Sequence, residues 1–146
     1  MKFGIDRLLV EPALRAPLQG QRVALLAHPA SVTQDLTHSL DALARLPDIK
    51  LTAAFGPQHG LRGDKQDNMI ESPDYIDPLL GIPVFSLYGE VRRPTDSMMD
   101  SFDVLSGDRR PMWVRQEIEC AVYGGARSPM PGAVSIRPRA SSSGGS

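Results

Sequence analysis

Three apolar runs, each cut short by glycine, proline and polar residues, dominate the first 105 positions of the chain. Arg22-Val23-Ala24-Leu25-Leu26-Ala27-His28 is nearly unbroken and stops at Pro29. A strand buried on both faces has this composition, which favours a parallel sheet. Leu51–Phe55 forms the second run. Gly81-Ile82-Pro83-Val84-Phe85-Ser86-Leu87-Tyr88 forms the third, with a proline suited to a first strand position. Phe102-Asp103-Val104-Leu105 begins a fourth strand. Between the first two runs the period becomes helical. Leu36, Leu40 and Leu43 fall at i, i+4 and i+7, which predicts a helix over 35–46 with one apolar stripe. Ser31 and Thr33 offer N-cap hydroxyls, Pro47 ends the helix, and His38 falls on its polar side. Upstream, Ile5-Leu8-Leu9 and Leu14-Leu18 around Pro12 predict one or two helical turns on a sheet edge, ended by Gly20. Residues 68–80 read as irregular. Pro94 opens a short helix over Thr95–Ser101, with Met98 inward. Strand, helix and strand in succession make a βαβ unit with a right-handed crossover, so the fold class is α/β.

The pattern fails after Leu105. Ser106-Gly107-Asp108-Arg109-Arg110-Pro111 interrupts the fourth strand, and neither a strand nor a helix period persists to Ser146. Large apolar residues number 37 in the first 105 positions and 9 in the last 41. Nine such side chains bury too little surface to offset the ordering entropy of that segment, so the tail is expected to be disordered. Its end, Ala140-Ser-Ser-Ser-Gly-Gly-Ser146, has the composition of a flexible linker. Charge divides the chain at the same place. Residues 1–105 hold 10 basic and 14 acidic groups, and residues 106–146 hold 6 arginines and 3 acidic groups. The expected organisation is a partial α/β domain over 1–105 and a separate tail over 106–146.

Other features exclude whole classes of function. A formal net charge of −1 carries no electrostatic footprint for nucleic acid. The single Cys120 rules out an intrachain disulfide and a cysteine-only zinc site. The Met-Lys-Phe-Gly-Ile-Asp start lacks the apolar core of a secretory leader, and no run is long enough for a membrane span. A soluble, cytoplasmic product with no membrane partner is therefore expected, and no oligomeric state is read from the residues.

Polar turns follow three of the strands: His28–Ser31, Gln58–Asp64 and Tyr88–Arg93. In a parallel sheet they share the carboxyl edge, where open α/β sheets bind ligands. The middle turn, Gly56-Pro57-Gln58-His59-Gly60-Leu61-Arg62-Gly63-Asp64, has three glycines and a proline around its functional groups. Together the turns predict one site holding His28, Gln58, His59, Arg62, Asp64, Glu90, Arg92 and Arg93. Guanidinium groups suit a carboxylate or phosphate. Asp64 and Glu90 are the candidate proton-transfer pair, in the manner of a glycosidase. Plainer roles stand beside these. His59 could brace its own loop, and Asp64 could pair with Arg62 or Lys65. One of the adjacent Arg92 and Arg93 faces solvent, and Glu71, Asp74 and Asp77 read as solvated loop charges. No metal site is expected, because His28 and His59 lack a close-spaced ligand motif. The Gly60–Asp64 segment lacks the spacing and the Lys-Ser/Thr of a phosphate-binding loop.

The segments Leu25-Leu26-Ala27-His28-Pro29-Ala30-Ser31-Val32-Thr33, Ala54–Asp64, Pro83-Val84-Phe85-Ser86-Leu87-Tyr88-Gly89 and Arg93-Pro94-Thr95 with Met99 arrive in order. Over residues 4–105 the chain resembles the YbbC/NamZ family, whose best understood members are exo-β-N-acetylmuramidases acting on peptidoglycan fragments. The resemblance implies a Rossmann-like N-terminal domain that a second domain completes into a cleft. It also implies a muramyl sugar, whose lactyl carboxylate gives the arginines a purpose, and no metal or organic cofactor. Two positions depart from the family pattern. Gln58 stands where muramidase-type members carry Glu, and an amide cannot transfer a proton as a carboxyl does. His28 stands where many members have Asn. Beyond Leu105 the family sequence is lost, which predicts a shifted reading frame near that codon and a truncated product. The other two frames of the coding DNA decide that expectation. Three readings follow: an inactive fragment with a half-built fourth strand and an uncovered sheet face, a non-catalytic binder of acidic sugars, or an active glycosidase of altered specificity.

Overall fold

The computed structural model describes residues 3–56, 61–63, 73–87 and 94–107. The expected tail lies almost wholly outside them, with only Ser106 and Gly107 described. The described residues form a five-stranded sheet: β1 (Arg22–Leu26), β2 (Lys50–Gly56), β3 (Tyr75–Ile76), β4 (Pro83–Ser86) and β5 (Val104–Gly107). Its order is β3-β4-β2-β1-β5. The β1–β2, β2–β4 and β1–β5 pairs are parallel, as the apolar runs require. The two-residue β3 lies antiparallel to β4 at the edge, within a stretch whose sequence reads as irregular. Such a strand is too short to show a period. Among the described residues no helix is long and apolar enough to cross a membrane.

Each face of the sheet carries its own buried cluster. One gathers Val23, Leu25, Ala54, Val84 and Val104 under Leu8, Leu40, Leu43 and Leu61. The other gathers Ala24, Leu26, Ala53, Phe55 and Leu105 under Leu87, Met98 and Phe102. Neighbours along each strand alternate between these clusters, as a two-faced strand demands. A register shift lets Thr52 enter β2 as an extra residue, since Val23 pairs with Leu51 and Ala24 with Ala53. Without that bulge Ala53 and Phe55 would face the wrong layer. The Thr52 hydroxyl donates to the Ser101 carbonyl at 2.8 Å, fixing the bulge to the turn before β5. Phe55 packs against Phe85 and Phe102 at centroid separations of 5.2 and 5.7 Å.

The helices are α1 (Gly4–Val10), α2 (Pro12–Arg15), α3 (Ser39–Ala44) and α4 (Asp96–Met99). The first two are the turns expected around Pro12. Arg15 donates to the Leu8 and Leu9 carbonyls at 2.9 and 2.8 Å and pairs with Asp48 at 2.7 Å, so the N-terminal layer is tied to the turn before β2. Thr95 caps α4 through Oγ1, which accepts from the Met98 amide.

Three expectations are corrected. The helix between β1 and β2 is shorter than residues 35–46. Leu36 lies outside it at φ 65°, 79% exposed, while Leu40 and Leu43 are buried. Ser31 and Thr33 do not cap it. Val32 bridges His38 across a tight reversal, and His38 itself is the N-cap. Local hydrogen bonds hold that reversal: the Thr33 and Thr37 backbones pair, and the Thr33 hydroxyl bonds Asp35. Finally, the fourth parallel strand is not broken at Ser106. Ser106 and Gly107 pair with Leu25 and Leu26, because a buried neighbouring strand offers backbone partners that no side-chain pattern advertises.

Candidate functional site

The four parallel strands present their carboxyl ends on one edge. With the antiparallel β3 set aside, their spatial order places β1 between β2 on one side and β5 on the other. The chain runs outward from β1 through β2 to β4, then returns across β1 to β5. Open α/β sheets bind ligands in the crevice outside the strand ends at such a reversal. Here that point lies beyond Leu26 and Gly107, with His28 two residues past the end of β1.

His28 is held by its neighbours. Its backbone N–H donates to Ser31 Oγ at 2.9 Å, and its carbonyl accepts from the Ser31 amide at 2.8 Å. The Ala30 N–H donates to His28 Nδ1 at 3.1 Å, which leaves the ring proton on Nε2. The His28 carbonyl also accepts from His38 Nε2 at 3.1 Å. His38 Nδ1 in turn accepts the Leu40 N–H at 3.2 Å, capping α3. His38 is therefore neutral with its proton on Nε2, joining the turn after β1 to α3. Burial holds its pKa below the usual histidine value, and the nearby Arg62 charge adds to this. The sequence placed His38 on a polar helix face. As the cap, it instead connects the turn after β1 to α3.

The turn after β2 folds back over its own strand. A side chain at Gly56 would meet the Leu61 backbone at 3.2 Å, and the Gly56 carbonyl accepts from the Leu87 amide at 2.9 Å. Leu61 is buried against α3 in the first cluster. Gly63 has φ 69° and sits so close to Pro29 that a Cβ there would lie 3.2 Å from its ring. Residues 61–63 after β2 thus touch the turn after β1.

Arg62 is bonded through both terminal nitrogens. Its Nη1 and Nη2 donate to the two Asp41 oxygens at 2.8 Å each, and Nη2 also donates to Asp77 at 3.2 Å. Asp77, expected to be a solvated loop charge, is 1% exposed. Its Oδ1 accepts from the Leu79 and Leu80 amides at 3.0 Å each, shaping the β3–β4 turn. Asp74 also has a local task, accepting from the Ser86 amide at 2.7 Å. The hydrogen bond from Arg62 holds the Asp41 carboxyl below its ordinary range, and the guanidinium is correspondingly harder to deprotonate. Among the described residues the partners of Arg62 lie 21 and 15 positions away, while the ion pair that sequence proximity suggested, Asp64 with Arg62 or Lys65, lies outside the described residues.

Of the eight candidate site residues, His28 and Arg62 are described. Gln58, His59, Asp64, Glu90, Arg92 and Arg93 lie outside the described residues, as do Glu71 and Lys65. The additional participants are Ser31, His38, Asp41 and Asp77. Only the buried, turn-placed Ser31 carried a sequence signal, as a hydroxyl after a strand end.

These features define the class: an open Rossmann-like α/β domain whose strand-end loops converge beside a topological reversal. Residues 23–115 match the family described as the N-terminal part of exo-β-N-acetylmuramidase NamZ, and the chain belongs to that family. The match runs ten positions past Leu105. The chain is 46% identical over 115 residues to the peptidoglycan β-N-acetylmuramidase NamZ of Bacillus subtilis, covering 79% of this chain and 27% of that one. Two crystal structures of DUF1343 family proteins from Bacteroides fragilis share the fold. The first has a TM-score of 0.61 at 38% identity, over 75% of this chain and 26% of that one. The second has a TM-score of 0.51 at 26% identity, over 73% and 25%. The chain spans about a quarter of the length of each relative.

Proposed function

We propose that this chain supplies one wall of the active site of a peptidoglycan-sugar glycoside hydrolase and that its 146 residues do not turn over substrate by themselves. The identity with the Bacillus subtilis muramidase supports this reading, together with the family match over residues 23–115, a range that includes the strand-end turns. The substrate class is a muramyl sugar, seated at the carboxyl edge beside the β1–β5 reversal. His28 offers a donor at Nε2, because Nδ1 is occupied by the Ala30 amide. Gln58, His59, Arg92 and Arg93 are the remaining binding candidates, with the arginines suited to a lactyl carboxylate. Glu90 and Asp64 are the candidate proton-transfer groups, because Gln58 cannot protonate a leaving oxygen. No metal or organic cofactor enters this chemistry.

The deciding assay incubates the purified 146-residue chain with a chromogenic N-acetylmuramic acid glycoside. No hydrolysis above buffer is expected, with weak binding of N-acetylmuramic acid by calorimetric titration. Turnover that disappears in Glu90→Gln would instead establish an active glycosidase built from this chain alone.

A further inference from the structure

Arg62 has a different task from the other candidate arginines. We infer that Arg62, clamped between Asp41 and Asp77, is a positioning residue that sets the turn after β2 against α3 and the β3–β4 turn, and is not a ligand for the sugar carboxylate. The inference rests on the proposed sugar site, and it assigns roles to Asp41 and Asp77 that the strand-end logic alone does not supply.

The geometry argues this in three steps. Both terminal nitrogens of Arg62 are already bonded, two of the three bonds forming a fork onto Asp41 at 2.8 Å. A ligand carboxylate favours a fork of this kind, and with Asp41 on the terminal edge and Asp77 on Nη2 it would have to compete with them for the guanidinium. Next, Asp77 is buried, and Arg62 is its cationic partner among the described residues. Withdrawing Arg62 toward a ligand would leave a buried carboxylate without its counter-charge, a costly arrangement. Last, the three residues come from three separate pieces of chain. Arg62 follows β2, Asp41 lies in the first turn of α3, and Asp77 opens the turn between β3 and β4. One guanidinium therefore fixes the distance between residues 61–63 and two other elements, α3 and the turn between β3 and β4. Leu61 and Gly63, on either side of Arg62, are locked by burial and by contact with Pro29. The triad makes the anchoring of this segment directional as well as apolar.

The test uses the full chain with isotope-labelled arginine and backbone amides. Asp41→Asn and Asp77→Asn are each expected to speed amide exchange at Leu61, Arg62 and Gly63 by about tenfold or more, with β1 and β2 amides changed less than about twofold. Should Asp77→Asn fail to fold, Asp41→Asn, at a partly exposed site, decides this arm. Saturating N-acetylmuramic acid should leave the Arg62 guanidinium resonances where they are. Equal acceleration in strands and turn would overturn the inference, by reducing the triad to general stability. So would an Arg62 guanidinium shift produced by N-acetylmuramic acid and not by N-acetylglucosamine, because that identifies Arg62 as a carboxylate ligand. If neither sugar moves any resonance, the proposed sugar site fails while the exchange arm still decides the role of Arg62.

Discussion

Leu36 combines two unfavourable properties: it is 79% exposed, and its backbone is left-handed at φ 65°. A branched apolar residue gains nothing from that conformation, and its Cβ crowds the following carbonyl. Leu36→Asn is therefore expected to stabilise the domain by roughly 0.5–1 kcal/mol, because Asn tolerates the left-handed region and no burial is lost. The denaturant midpoint reads this directly. Gly63 is the opposite case, since its φ of 69° is accompanied by the close approach of Pro29. Gly63→Ala should cost about 1–2 kcal/mol from backbone conformation alone, and more if Pro29 cannot yield. A stability change smaller than the uncertainty of the denaturation curve would show that the two turns do not press together.

At the start of α3, His38 ties the helix to the turn after β1 while carrying a proton that must stay on Nε2. Protonating Nδ1 removes the acceptor for the Leu40 amide and places a cation at a helix N-terminus near Arg62. The folded-state pKa lies below the unfolded value of about 6.5, so the unfolded chain binds more protons in that window. Stability contributed by neutral His38 is complete above about pH 6.5 and declines as pH falls through that value toward the folded pKa. His38→Asn retains a capping oxygen and cannot titrate. The variant is expected to flatten the stability–pH slope just below pH 6.5, whatever constant offset it introduces. An unchanged slope would mean that His38 is solvated in solution. Arg22 and Asp103, which join the starts of β1 and β5, act with the same sign but in a more acidic window. Hydrogen bonding from Arg22 holds the Asp103 carboxyl at about 2, so that link persists until strongly acidic pH.

The sheet as a whole depends on having both faces covered, which parallel strands require. Phe55 stands at the centre of the second face, touching Phe85 and Phe102. Phe55→Ala should cost about 3–5 kcal/mol, enough to unfold a domain of ordinary marginal stability, and thermal or denaturant unfolding would show it. Much of this architecture was legible in the order of residues. Continuous apolar runs announced buried parallel strands, because a strand covered on both sides has no polar face to display. The turns after them, rich in glycine and proline, announced where the chain leaves the carboxyl edge of the sheet, and the motif order carried the family. Other features depend on contacts between distant segments. A two-residue strand has no period, and Ser106 and Gly107 join β5 through backbone hydrogen bonds to β1. The bulge at Thr52 emerges only when two strands are set in register. Leu36 obeys the helical spacing that Leu40 and Leu43 follow, yet hydrogen bonds among Thr33, Asp35 and Thr37 turn the chain away before it. Arg62 shows the division most clearly. Its chemistry, a guanidinium in a strand-end turn, is written in the chain. Its partners are Asp41 and Asp77, which only folding brings within 3.2 Å, and a charge answers to whatever stands beside it in space.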